Sequence, residues 1–153
     1  MESSAGVRVR AGGVADLGAV VPLFLRYLEF YEVAGDEERA RGYLGERLGR
    51  GESLVWLAED AAGAAIGFAQ VYPTFSSLEM RPVWVLYDLF VAPAGRRTGA
   101  GRALLREVVE GARAAGVAGV QLETAYDNDV AQALYEDEGF VREGFHVYWR
   151  ASA

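Results

Sequence analysis

From Pro82 to Glu123 the pattern of apolar residues changes period twice. "PVWVLYDLFVAP" reads as one long strand closed by Pro93, "GRALLREVVEGARAA" has helical spacing from Gly101 to Ala115, and "VAGVQLE" returns to a strand over Val117 to Glu123. Strand, helix and strand in that order imply a crossover. The two strands run parallel, and the helix packs across the sheet in the right-handed sense. An all-helical fold and a purely antiparallel one are both excluded by this unit.

What precedes it is antiparallel in character. "VRVR" at Val7 to Arg10 alternates like a strand. After "AGG", Asp16 stands as a helix N-cap before Leu17, Val20, Val21, Phe24, Leu25 and Leu28, which repeat at helical spacing. A second helix is expected from Asp36 to about Gly49 to Gly51, with Ala40, Tyr43, Leu44 and Leu48 as its stripe. "SLVWLAED" is a strand, "AAGA" a turn, and "AIGFAQVYPTF" a strand broken at Pro73. Beyond the crossover, a helix from Asp129 to Glu138 and strands around Phe140 and Val147 to Arg150 complete the chain. The expected class is α+β: a mixed, mostly antiparallel sheet of about seven strands with about four helices on both faces, in one domain over residues 1–153.

Composition narrows the chemistry. With 153 residues, 52% of them hydrophobic and 24% charged, the chain suits one globular core. Having no cysteine and a single histidine, His146, it lacks thiolate nucleophiles and histidine-rich metal sites, so no metal is expected. Oxygen acids, tyrosines, backbone amides or a bound cofactor must supply the reactivity. Twenty-two acidic against 15 basic residues, net charge −7, argue against nucleic acid and favour cationic partners. "MESSAGVRVR" has no apolar run of leader length and no later window has that of a membrane span, so the expectation is a cytoplasmic protein without a membrane partner.

The turn "RRTGAGRALL" lies between the long strand and its helix. Gly99, Ala100 and Gly101 let an anion approach the free N–H groups and positive end of that helix, and Arg96, Arg97 and Arg102 add charge. Two nucleotide-binding readings fail here. "GAG" lacks the third glycine of a dinucleotide fingerprint, and the chain contains no lysine to complete a P-loop.

"LYDLFVAPAGRRTGAGRALL" followed by "VQLETAYDNDVAQALYEDEGF" resembles the acetyl-coenzyme A core of the GCN5-related N-acetyltransferases (GNAT). Arg96, Gly99 and Gly101 match the family's Q/R-x-x-G-x-G/A signature, and Asn128 and Tyr135 its later Asn and Tyr pair. The resemblance covers roughly the last half of the chain. It implies acetyl-coenzyme A as cosubstrate, its pantetheine amides paired with the main chain of Leu89, Phe90 and Val91 as a false extra strand. Arg97, Thr98, Gly99, Ala100, Gly101 and Arg102 would wrap the pyrophosphate, with Arg96 and Asn128 as further cofactor residues.

Acetyl transfer to an amine needs a base to free the amine of its proton and an acid to protonate the departing thiolate. By resemblance Tyr135 is the acid, although its periodicity alone makes it a core residue on an amphipathic helix. Two carboxylates compete for the base. Glu123 ends "VQLET" at the position of the glutamate in ribosomal-protein alanine acetyltransferases. Asp88 precedes the cofactor-binding backbone, and plain alternation places it on one face with Trp84, Leu86 and Phe90, opposite Val85, Tyr87, Leu89 and Val91. Ordered water could stand in for either.

In this family the first two helices and the turn between the third and fourth strands build the acceptor pocket. Those segments here hold Tyr27, Phe30, Tyr31 and Glu32, then Tyr72 and Phe75. Aromatic rings with acidic neighbours suit a small cation, and the resemblance implies the primary amine of a small molecule such as a polyamine, amino acid or aminoglycoside. Peptide acetylation, or a non-catalytic acyl-coenzyme A binding module, are the alternatives. The aromatic stretch "FVREGFHVYWR" further suggests pairing into a homodimer.

Overall fold

A computed structural model describes residues 6–153; residues 1–5, which open the stretch read as lacking a leader, lie outside the described residues. The chain divides into two compact units, one ending at Glu123 and one running from Thr124 to Ala153.

The first unit is built on a five-stranded sheet in the order β1-β2-β3-β4-β5. β1 (Arg8–Ala11), β2 (Leu54–Glu59), β3 (Ala65–Ser76) and β4 (Arg81–Val91) form an antiparallel meander. β5 (Val120–Leu122) joins β4 in parallel after the crossover helix α3 (Ala100–Ala115), as the change of period at Gly101 requires. Helices α1 (Leu17–Phe30) and α2 (Glu37–Gly49) pack on one face. Val20, Val21, Phe24 and Leu44 meet Val55, Leu57, Phe68 and Phe90 there in a continuous core. Each such side chain, taken wholly out of water, contributes about 1.5–3 kcal/mol against the entropy of ordering the chain.

On the opposite face α3 buries Leu104, Leu105, Val108 and Ala112, the i, i+4, i+8 stripe that its sequence displays. A β-carbon on Gly111 would stand 3.0 Å from the Trp56 ring, so glycine lets the helix lie directly on the Trp56 and Trp84 pair. α3 ends at Gly116, whose φ of +73° lets its N–H turn back to the carbonyls of Ala112 and Arg113.

The helix starts divide. Asp36 caps α2 by accepting the Glu38 N–H at 3.2 Å. Asp16 stands at the start of α1, but its carboxylate turns backwards, accepting from the Gly13 N–H and from Arg10. Arg10 also reaches Glu59, so one guanidinium ties β1 to β2 and to the entry of α1. The paired guanidinium holds the Asp16 carboxyl below the usual aspartate range.

Three expectations need correction. β3 is not broken at Pro73, which pairs with Trp84. Its ladder with β2 ends at Val71, so the proline, which has no N–H to donate, sits where β4 is the one strand beside β3 among the described residues. β5 is shorter than Val117 to Glu123 and stops at Leu122. The strands expected around Phe140 and Val147 to Arg150 do not form, leaving five strands among the described residues rather than about seven. A strand needs a ladder partner, and alternating apolar residues do not supply one. Phe145, Val147, Tyr148 and Trp149 lie exposed instead.

In the second unit, α4 (Asp129–Asp137) is one short helix. Arg142 folds back on it to meet Gln132 and Glu136, and Tyr126 bonds His146.

Candidate functional site: a buried aspartate beside an open strand edge

β4 contains one residue more than β3 can match. Gln70 pairs with Asp88 but Val71 pairs with Leu86, so Tyr87 bulges out unpaired. A bulge resets the alternation of side chains. Trp84, before it, packs beside Trp56 under α3, whereas Phe90, after it, joins the core beneath α1 and α2. The single face expected for Trp84, Leu86, Asp88 and Phe90 is therefore split at Tyr87. Asp88 emerges on the helix α1 side.

There it is buried, with 3% of its surface exposed. Gln70 donates its side-chain N–H to Asp88 Oδ2 at 2.5 Å, and the Tyr27 hydroxyl faces the same carboxylate. Burial pushes the Asp88 carboxyl above the usual aspartate range, and the two donors pull it partly back. Each hydrogen bond to a charged group is worth about 1.5–3 kcal/mol, too little by itself to cancel desolvation. The same burial and the negative carboxylate raise the Tyr27 hydroxyl, which stays protonated as a donor. Tyr27 is held by rings on several sides, those of Phe24, Phe68, Phe90 and Tyr31, at centroid distances of 5.0–6.3 Å.

Around this carboxylate stands a tyrosine wall. Tyr72 packs on Tyr87 with ring centroids 5.3 Å apart and shares a 2.6 Å hydrogen bond with Tyr43 of α2. Burial raises the Tyr72 hydroxyl, with the Tyr43 bond and the Asp88 charge adding to it. Of the other residues expected to line the acceptor pocket, Phe30, Tyr31 and Glu32 are exposed at the end of α1 and just beyond it, and Phe75 lies 80% exposed near the end of β3.

The neighbouring strand edge is open. β4 pairs with β5 only at Trp84, Val85 and Leu86, while from Asp88 to Val91 its partner among the described residues is β3 alone. Leu89, Phe90 and Val91 are thus bonded on one side only. A groove of about 560 Å³ runs past this segment, lined by Arg26, Glu29 and Phe30 of α1 and by Phe90, Pro93, Ala94 and Arg96.

The turn that follows is shaped for close approach. Arg97 and Gly99 adopt left-handed φ of +64° and +82°, and Arg96 and Arg97 are exposed. The Thr98 hydroxyl bonds the Gly95 carbonyl and accepts the Ala100 N–H. The first helical bond of α3 runs from the Ala103 N–H to the Gly99 carbonyl, so the N–H groups of Gly101 and Arg102 precede the helical ladder. Consecutive left-handed and helical residues create a concave set of N–H donors suited to phosphate.

Glu123 is exposed just past β5. In the second unit, Asn128 caps α4 by accepting the Ala131 N–H at 3.2 Å, and Tyr135 is half-buried with its ring 6.1 Å from that of Phe140.

Comparison with known proteins accounts for this combination. The sequence profile of the Acetyltransferase (GNAT) family matches residues 21–140. The chain belongs to this family. Over 143 residues, 94% of this GNAT chain and 95% of the relative, it is 38% identical to the uncharacterized N-acetyltransferase YhfO of Bacillus subtilis (strain 168). It is 32% identical over 110 residues, 70% of this chain and 72% of the relative, to the aminoglycoside N(6')-acetyltransferase type 1 of Stenotrophomonas maltophilia. Among solved structures, the crystal structure of a probable acetyltransferase superposes with a TM-score of 0.88 at 35% identity, covering 95% of this chain and 98% of that one.

This GNAT chain is therefore an acyltransferase, of a family that draws on acetyl-coenzyme A. The open edge of β4 and the N–H-lined turn fit an amide-bearing arm ending in a pyrophosphate. Three residues of the tyrosine and carboxylate cluster escaped sequence reasoning. Gln70 had a visible signal, being the one amide in the apolar run "AIGFAQVY". The sequence pattern puts Tyr43 in the α2 core stripe and Tyr87 on the face of β4 opposite Asp88.

Proposed function

We propose that this acetyltransferase transfers the acetyl group of acetyl-coenzyme A to the primary amine of a small molecule, a polyamine, an amino acid or an aminoglycoside-like amine. The observation that carries the reading is the buried Asp88 carboxylate behind a wall of tyrosine rings. A negative group in an apolar surround attracts an ammonium and then accepts its proton, because desolvation brings the two proton affinities closer. The alignment with an aminoglycoside acetyltransferase over 70% of the chain supports the same class of acceptor.

In this reading Leu89, Phe90 and Val91 bond the pantetheine amides through their main chain. Arg96, Arg97, Thr98, Gly99, Ala100, Gly101, Arg102 and Asn128 serve the cosubstrate, the turn residues holding its pyrophosphate. Asp88 takes the proton from the amine. An alkyl ammonium, with a pKa near 10, is otherwise almost wholly protonated at neutral pH, so attack waits on this step. Glu123, exposed at the end of β5, is the competing base. The amine nitrogen then bonds the acetyl carbon as the carbon–sulfur bond breaks, and the Tyr135 hydroxyl gives its proton to the departing thiolate. Tyr27, Phe30, Tyr31, Glu32, Tyr72 and Phe75 line the acceptor side. The enzyme works in the cytosol, as a homodimer paired through its carboxy-terminal aromatics.

Purified protein with acetyl-coenzyme A and a panel of polyamines, amino acids, aminoglycosides and peptides with free amino termini tests the proposal by thiol release. Turnover of a small amine well above that of every peptide is expected. Peptide-only turnover would move the activity to protein acetylation, and cofactor binding without thiol release on any amine would leave a binding module.

A further inference from the structure

Gln70 plays no part in the family signature, yet it is the closest polar neighbour of the proposed base. It is 1% exposed in the middle of β3, between apolar residues, and its register partner across the ladder is Asp88 itself. An amide in such a place carries a desolvation cost that a leucine of similar volume would avoid. Its side-chain N–H is spent entirely in one direction, on Asp88 Oδ2, while Oε1 has no partner. Stability alone does not account for an arrangement that leaves half the amide unsatisfied.

The geometry is directional. The Tyr87 bulge swings Asp88 onto the α1 side, and there Gln70 holds one carboxylate oxygen from β3 while the Tyr27 hydroxyl faces the carboxylate from α1. The Gln70 bond anchors one oxygen of the carboxylate, and together with the Tyr27 hydroxyl it favours the ionised form, the form a base must have. The charged and titratable groups facing Asp88 are Tyr27 of α1 and Tyr72 of β3; both stay neutral because burial raises them. The groups that favour its ionised form, Gln70 and Tyr27, are themselves neutral.

We propose that Gln70 is a positioning residue that orients the Asp88 carboxylate and keeps it ionised for proton transfer. This inference rests on the reading of Asp88 as the base. Removing the amide while keeping the volume, as in Gln70→Leu, takes a donor from the charged form and none from the neutral one. The carboxyl then releases its proton at higher pH, and the rising limb of the rate profile follows it.

The test compares kcat/KM against pH for the wild type, Gln70→Leu, Gln70→Met and Asp88→Asn, using the best amine from the panel, with thermal unfolding run alongside. Carbon-13 titration of the Asp88 carboxyl provides a readout independent of turnover. Expected for Gln70→Leu is a rate on the acid limb about tenfold lower, recovering to within about threefold of wild type at high pH, with the carboxyl resonance titrating at correspondingly higher pH. Gln70→Met should behave alike, and serves if the leucine variant fails to fold. An acid limb and a carboxyl resonance both unmoved in a folded variant would overturn the positioning role. Failure of the Asp88 reading looks different. The acid limb then survives in Asp88→Asn, and the carboxyl resonance alone decides whether Gln70 sets the ionisation of Asp88.

Discussion

The Tyr43 and Tyr72 hydroxyls lie 2.6 Å apart, joining α2 to the stretch of β3 beyond its last pairing with β2. Tyr43→Phe and Tyr72→Phe should each raise the KM for the amine several-fold while leaving cofactor affinity unchanged. A double-mutant cycle on unfolding should give a coupling of about 0.5–1.5 kcal/mol, that of a neutral hydrogen bond. Independent effects of the two changes would dissolve the proposed wall.

Arg97 carries its side chain at a φ of +64°, a conformation glycine adopts without strain. Arg97→Gly should raise stability by up to about 1 kcal/mol in thermal unfolding while weakening acetyl-coenzyme A several-fold by calorimetry. Opposite signs on the two measurements would mark a strained residue kept for its charge. Gly99→Val, at a φ of +82°, should lose both.

Tyr135→Phe should lower turnover at least tenfold with little change in cofactor affinity, since in the proposed mechanism it removes the proton given to the departing thiolate. The loss should shrink with an activated thioester whose leaving group needs no protonation. Unchanged turnover on acetyl-coenzyme A, with chemistry rate-limiting in pre-steady-state runs, returns Tyr135 to its packing against Phe140.

Asp88 also predicts a pH dependence of stability. Its carboxyl is raised in the folded chain, so the folded state binds the proton more tightly than the unfolded state does. The contribution is complete below the usual aspartate range and is lost as pH rises through the higher folded value. Asp88→Asn, which cannot ionise, should flatten the urea-unfolding curve against pH over that window and should not fall below wild type at neutral pH. A variant that keeps the wild-type slope would assign the slope to other carboxyls. Asp16 works in the opposite direction, its contribution being lost as pH falls.

Val147, Tyr148 and Trp149 are 71–92% exposed in consecutive positions. A second copy of the chain is the expected cover, and light scattering at micromolar concentration should give twice the mass of 16.6 kDa. Trp149→Ser and Val147→Ser together should return the chain to a monomer. A single-chain mass for the unaltered protein removes the dimer.

Local chemistry made much of this molecule legible in one dimension. The changes of period at Gly101 and Val117 are properties of the covalent chain, and they determined the crossover, the parallel pairing of β4 with β5 and the turn between them. The residues of that turn, Arg96 to Gly101, needed no tertiary information, because small residues and positive charge at a helix start act within a few bonds. The helix limits at Asp36 and Gly116 follow from capping and left-handed backbone, which are equally local. What the tertiary structure alone decided is pairing. Whether Phe140 and Val147 to Arg150 become strands depends on an edge to bind, and Pro73 is tolerated in β3 because β2 ends two residues earlier. Above all, the extra residue at Tyr87 exists only as a mismatch between two strands. That mismatch turns Asp88 away from the Trp84 side and against Gln70 and Tyr27, residues distant in the chain whose approach no periodicity encodes.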